Sequence, residues 1–363
     1  MIARSRRRYR LMLPLIRALI LASILGFLQG CSTLSYYSHS IGGHLQLMGQ
    51  RQPIPELLRD PQTPEPLQRK LRQVGEIRHF ASAALALPDN GSYRSYAALD
   101  REAVVWSVVA AGRFSLQPRQ WCYPFVGCAS YRGYFSQERA WAYAGELQAQ
   151  GLDVAVEPVP AYSTLGWFDD PLPSTVIDWP EARIAGLIFH ELAHQQLYVK
   201  HDSAFNEAFA SLVAEVGIER WVANRNGLSF AQWQVTRQRE QQFVDLLLAV
   251  REELETLYRQ PLDEARMGQR KAALFRQLRE RYARLKRRWG GYAGFDGWFD
   301  RDLNNAHLVS IATYEAWVPA FRRLLVQSGG GLPAFYAASR ELGQLPANER
   351  EQRMRQLLQP AAE

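Results

Sequence analysis

The five residues His190-Glu191-Leu192-Ala193-His194 lie in a segment whose apolar positions, Ile184, Leu187, Ile188 and Leu192, recur at helical spacing. Residues i and i+4 of a helix stand one above the other on the same face, so His190 and His194 present two imidazoles to one point in space. Two histidines and a carboxylate are costly in an apolar helix unless they have partners. A metal ion satisfies both rings, since imidazole nitrogens bind zinc at about 2.0–2.1 Å. Glu191 is turned by about 100° from His190, which aims it at water held by the ion rather than at the ion. Zinc makes such water acidic, and a carboxylate beside it can take and later deliver the proton. The expectation is one Zn2+ per chain, bound by His190 and His194, with Glu191 as the catalytic base.

The flanks sharpen this reading. Asp178, Pro180 and Glu181 have the spacing of a capped helix start, which predicts a helix running from there to about Val199. A second helix is expected over 203–224, and its first turns carry Asn206-Glu207. A two-histidine, one-carboxylate site takes its third ligand from such a following helix. Glu207, near the start of that helix, is the candidate, and the helix N-terminus would also help keep its carboxylate ionised. Glu215 lies two turns further on and is the rival, while His201 and Asp202 in the connector are candidates for the ion or its surroundings. With 13 residues from His194 to Glu207, the connector must reverse the chain tightly.

A net charge of +7 raises the question of nucleic acid, but six arginines and no acid fall within residues 1–30. Setting them aside leaves +1, so the body has no global electrostatic footprint for nucleic acid. Those residues have the layout of a secretory leader. A basic start reaches Arg10, an apolar run covers about Leu11 to Phe27, and Leu28-Gln29-Gly30-Cys31 follows. The pattern resembles a bacterial lipobox, in which Cys31 is lipidated and becomes the N-terminus, although Gln29 is larger than usual and Arg17 interrupts the apolar run. The expected location is the cell envelope, lipid-anchored and facing the periplasm, at the outer membrane in a Gram-negative host. Cys122 and Cys128, with five residues between them, then read as a local disulfide in an oxidising compartment.

Three regions follow: a signal over 1–30, a tether over 31–52 and a catalytic body over 53–363. Within the body, residues 114–178 alternate aromatic and β-branched stretches with Gly and Pro, and a helix is expected near 137–150. Residues 102–111 suit a strand or a buried helix end. Residues 162–167 read as a strand before the His190 helix. Residues 229–289, dense in Arg, Gln, Glu and Leu, predict a helical insertion of two long helices broken near Pro261. A last helical pair is expected over 303–327 and 332–359, parted by Gly329-Gly330-Gly331. The fold class is α+β and mainly helical.

Several segments together carry a family resemblance. They are Trp121-Cys122 with Gly127-Cys128, Tyr131-Arg132-Gly133-Tyr134-Phe135, Ser163-Thr164-Leu165-Gly166-Trp167-Phe168-Asp169-Asp170-Pro171, the stretch from His190 to Gln195, Phe205-Asn206-Glu207 and Asn304-Asn305-Ala306. Jointly they resemble a bacterial family of zinc aminopeptidases of lipoprotein type, with the HExxH and Asn-Glu elements of gluzincins. The resemblance implies a zincin-like core of small sheet, HExxH helix and ligand helix, and a peptide or protein substrate. Such an enzyme needs a donor for the oxyanion; Tyr314 is the first candidate, with His307, Tyr131 and Tyr134 behind it. An aminopeptidase also needs a carboxylate for the substrate amine, which Asp169 or Asp170 would supply. The rival readings are an envelope endopeptidase and a non-catalytic binding lipoprotein that contains a structural zinc.

Overall fold

The structure, a computed structural model, describes residues 35–123, 127–161, 163–164, 166–225, 230–309 and 317–359. Cys31 and the leader lie outside them. Residues 35–49, within the stretch read as a tether, are helical and belong to a unit of their own. Among the described residues no helix is long and apolar enough to cross a membrane.

The body, from residue 50 onward, has three small sheets and many helices, which makes it α+β and mainly helical, as the sequence leads one to expect. Strand β1 (Arg51–Pro53) runs antiparallel to β2 (Ser95–Ala97), and β2 runs parallel to β8 (Leu172–Pro173). Between them in sequence, β3 (Val105–Gly112) is flanked by β6 (Arg132–Tyr134) and β7 (Leu152–Val159), both antiparallel. The stretch 102–111 is therefore strand from Val105 onward, not a helix end. Side chains alternate across a strand, and β3 is buried on both faces. Val108 and Ala110 pack with α2 (Gln137–Ala149), whereas Val109 and Ala111 face a second core built by long helices. Strands β4 (Trp121–Tyr123) and β5 (Gly127–Ala129) form a hairpin in which Cys122 stands opposite Cys128 and is disulfide-bonded to it.

The largest core joins α1 (Glu65–Ala83), α3 (Glu181–Gln196), α4 (Ser203–Ala223), α7 (Val318–Gln327), α8 (Leu332–Gln344) and α9 (Ala347–Leu358). Phe205, Phe209, Phe321, Phe335 and Tyr336 lock α4 to α7 and α8, with ring centroids 4.9–6.1 Å apart. Helices α5 (Phe230–Tyr258) and α6 (Glu264–Arg288) form the second core, broken near Pro261 as expected. The last helical region departs from expectation. Residues 305–309 are helical, residues 310–316 are outside the described set, and the final helix divides into α8 and α9 at Pro346, whose ring cannot continue the backbone ladder.

Two corrections concern the elements around the central motif. Helix α3 starts at Glu181, and no side chain caps it. Asp178 is thus not its cap, and Glu181 is engaged by Trp221 Nε1 (2.9 Å) and Arg225 Nε (3.0 Å) instead. The helix also stops at Gln196, because Leu197 is extended at φ −151°, ψ 125°. The expected strand at 162–167 is absent among its described residues. Ser163, Thr164, Gly166 and Trp167 lie in a turn, closed by Trp167 N donating to Thr164 O (3.1 Å); Tyr162 and Leu165 fall outside the described set.

Candidate metal centre

Helices α3 and α4 meet closely because each has a glycine at the crossing. A Cβ on Gly186 would come within 2.6 Å of Ile218, and one on Gly217 within 2.5 Å of Phe189. Only the bare backbone allows this approach. It brings His190 and His194 on α3 face to face with Glu207, one turn into α4. Glu207 Oε2 lies 3.2 Å from His190 Nε2 and 3.5 Å from His194 Nε2, and the two Nε2 atoms are 3.1 Å apart. This is the one such group among the described residues, with its ligand atoms all within 4.8 Å of one another. Burial alone would raise the Glu207 carboxyl, but the charge and hydrogen bonds of His194 and His190 outweigh it and hold it well below its ordinary value. Burial likewise disfavours a charged His194, yet Glu207 and then Glu191 pull its pKa above the usual imidazole value.

The short connector between the two helices is held by three independent ties. Asn206 Oδ1 accepts from Val199 N and Asn206 Nδ2 donates to Val199 O, each at 2.8 Å. Asp202 caps α4 through Phe205 N (3.1 Å) and pairs with the buried Arg350 (2.8 Å). His201, at φ 67°, accepts from Cys128 N at 3.0 Å and rests on the bare face of Gly127. Asp202 and His201 therefore spend their polar atoms on the connector and not on the centre. Glu215 is similarly committed, to Arg237 and Arg322. Of the two rival carboxylates on α4, only Glu207 joins the histidines.

The face of α3 that carries Glu191 meets a different set of groups. Gln195, one turn beyond Glu191, accepts from Asn90 Nδ2 (2.6 Å) and donates to Ser92 Oγ (3.2 Å). The turn at 88–92 that supplies these atoms is organised by Arg78. Its guanidinium is 1% exposed and donates to Ser92 O (2.8 Å), Pro88 O (2.7 Å) and Asn90 O (3.1 Å). Tyr93 follows, and its N donates to Asp170 O at 2.7 Å. The Asp170 carboxylate is 1% exposed and accepts from Thr164 N (2.8 Å), Thr164 Oγ1 (2.9 Å) and Ser163 Oγ (3.4 Å). Burial, with a smaller push from the charge of Glu191, lifts its pKa to about 6 against those hydrogen bonds. Asp170 thus holds the 163–168 turn together, and of the Asp169-Asp170 pair only Asp169 is exposed. The Asp169 carboxylate lies against the Cα of Gly91, where a Cβ would meet it at 2.4 Å.

Among the oxyanion candidates, Tyr314 lies outside the described residues. His307 is buried in the second core, beside Trp298 and hydrogen-bonded within the Asn304 turn. Tyr134 packs on Tyr143 of α2, and Tyr131 is exposed. Two tyrosines that sequence reasoning passed over are near the centre. Burial and then the charge of Glu207 raise the pKa of Tyr198 in the connector. Burial and then the charges of Glu191 and Asp170 raise that of Tyr93. Neither stands in a motif; the turn signal Pro88-Asp89-Asn90-Gly91 was the only pointer to the loop that carries Tyr93.

No curated protein and no solved structure matches the chain. A family model described as "Putative aminopeptidase" matches residues 35–354, a span that includes both helices of the centre, the 88–93 turn and the disulfide hairpin. The chain belongs to that aminopeptidase family.

Proposed function

We propose that the protein is a zinc peptidase with a zincin-like centre, acting as an aminopeptidase in the cell envelope. The observation that carries this is the triangle of His190 Nε2, His194 Nε2 and Glu207 Oε2, with sides of 3.1, 3.2 and 3.5 Å. Ligands at about 2.0–2.1 Å around a tetrahedral ion stand about 3.3 Å apart, so the three atoms have the spacing of one face of such a site. A two-nitrogen, one-oxygen donor set that leaves a fourth position open is also the kind that catalytic zinc uses. Zinc, when bound there, supplies Lewis acidity and lowers the pKa of water. His190, His194 and Glu207 would hold it.

The chain's own chemistry then falls to Glu191, which does not join the ligand triangle. In this reading Glu191 takes the proton of the attacking water and delivers it to the leaving amine. Tyr314 is the donor assigned to the developing oxyanion. Asp169, exposed beside the Gly91 turn, is the carboxylate assigned to the substrate's free amine, and Asp170 braces the same turn from within. Cys31 is the assigned lipid anchor, and replacing it with Ser should abolish fatty-acid labelling.

The test is to purify the body without its leader, measure zinc, and assay peptides with free and with acetylated N-termini, before and after chelation. One zinc per chain, with chelator-sensitive release of N-terminal residues from free peptides only, is the expected result. Equal cleavage of acetylated peptides would make it an endopeptidase. Bound zinc without any turnover would leave a structural site.

A further inference from the structure

Tyr93 combines three features that ordinary packing does not explain. It is 1% exposed, yet its hydroxyl finds no hydrogen-bond partner of ordinary geometry among the described residues. Ser163 lies near it and donates to Asp170 at 3.4 Å, but its approach to the Tyr93 hydroxyl falls outside hydrogen-bonding geometry. A buried hydroxyl left unpaired costs roughly 1–3 kcal/mol, and such groups in a folded protein call for an explanation. Tyr93 also sits at φ 61°, a left-handed backbone that bulky residues seldom adopt and that costs on the order of 1 kcal/mol or more. The surroundings hold it there, through Tyr93 N on Asp170 O and through the Arg78-bound turn before it.

The position of this side chain gives the strain and the orphan hydroxyl a common reason. Ser92, its neighbour, is hydrogen-bonded to Gln195. Gln195 is four residues after Glu191 and so lies on the same face of α3. The loop that carries Tyr93 therefore runs along the Glu191 face, and Glu191 and Asp170 are the two carboxylates whose charge it feels. Asp170 has its acceptor positions filled by Thr164 and Ser163. Glu191 is the carboxylate with no such set of donors among the described residues.

We propose that Tyr93 is a positioning residue for Glu191, its buried hydroxyl donating to the Glu191 carboxylate when the loaded centre turns over. Because Tyr93 is sealed from solvent, it touches neither substrate nor ion; it fixes the direction from which Glu191 takes the proton. The inference rests on the peptidase reading above.

Tyr93→Phe tests it, since the variant keeps the ring and its packing and removes one oxygen. The expected result is a fall in kcat of roughly tenfold or more, within the range that general-base catalysis supplies, with KM and zinc content unchanged. Thermal unfolding, measured with and without zinc, should show a melting temperature equal to or above that of the parent, because an unpaired hydroxyl has been removed. Parental kcat would overturn the proposal. So would a drop of several degrees in melting temperature or failure to fold, either of which would mark an ordinary structural hydroxyl. If the parent binds zinc but cleaves no peptide, the peptidase reading fails on its own and takes the positioning role with it. The melting comparison still decides whether the hydroxyl is structural.

Discussion

The side-chain amide of Asn206 closes both of its hydrogen bonds on the backbone of Val199, at 2.8 Å each, and the residue after it is Glu207. One side chain thus does two jobs. It satisfies the N–H and C=O that a tight reversal would leave buried without partners, and it sets the phase of α4 so that the next residue faces α3. The Asn-Glu pair after the HExxH helix is a geometric unit, in which the amide builds the turn and the carboxylate uses it.

Asn206→Ala should therefore weaken metal retention without touching a ligand. Stranding Val199 N and O costs about 1–3 kcal/mol, and the loss should appear as a lower melting temperature and a faster release of zinc to a chelator. A variant as stable as the parent would show that Asp202 and His201 hold the connector unaided.

Glu207→Ala and Glu215→Ala should separate cleanly. Glu207 stands 3.2 and 3.5 Å from the two imidazoles, and its replacement should lower zinc content sharply after dialysis. Glu215 is bound to Arg237 and Arg322, so its replacement should lower stability and leave zinc in place. The reverse order of zinc contents would move the third ligand to Glu215.

Glu191→Gln should abolish hydrolysis while one zinc per chain remains, because the amide cannot accept the proton and the residue stands outside the ligand triangle. Zinc analysis and peptide assay on the same sample check it. Retained turnover would remove Glu191 from the base role, and loss of metal would make it a ligand.

Much of this centre was legible because it follows from local periodicity. The i, i+4 rule puts His190 and His194 together from the sequence alone, and the Asn206-Glu207 resemblance to gluzincins favours Glu207 over Glu215. What was hidden depends on long-range contact. Glu181 looked like a capping-box residue, but Trp221 and Arg225 from the end of α4 claim its carboxylate. Residues 162–167 alternate like a strand, yet Asp170 collects the Thr164 amide and hydroxyl into a turn. Tyr93 and Arg78 bear no motif at all; their roles come from a turn that is only defined once α1 and α3 are side by side.

Asp170 should give the protein a pH-dependent stability with a definite sign. Its folded pKa of about 6 is above the ordinary aspartate value. A raised carboxyl contributes stability that is full below the unfolded pKa of about 3.9 and is lost as pH rises through the folded value. The window is therefore about pH 4 to 6, and a shift of this size corresponds to roughly 3 kcal/mol. Melting temperature against pH for the parent and for Asp170→Asn isolates the contribution. The parent's stability relative to the variant should be highest at the acidic end and fall toward neutrality. Parallel curves would show that the carboxyl titrates normally.

One hydrogen bond, from Cys128 N to His201 Nδ1 at 3.0 Å, ties the disulfide hairpin to the connector beside the candidate metal centre. It links an oxidised crosslink to the connector between His194 and Glu207, and if it alone held that connector, reduction would release a bound metal. The other ties oppose that outcome. Asn206 on Val199 and Asp202 on Arg350 fix the connector from the α4 side, and neither involves the hairpin. The bond itself closes a short loop, with a sequence separation of 6, so its effect on the unfolded chain is at the lower end, about 2 kcal/mol. For a body of this size that is a loss of a few degrees in melting temperature. The double replacement of Cys122 and Cys128 by Ser should melt a few degrees earlier, keep one zinc per chain and retain most of its activity at moderate temperature. Thiol titration of the denatured, unreduced parent should find neither cysteine free. Zinc loss in the double variant would mean that the hairpin, through His201, carries the connector, and that Asn206 alone does not.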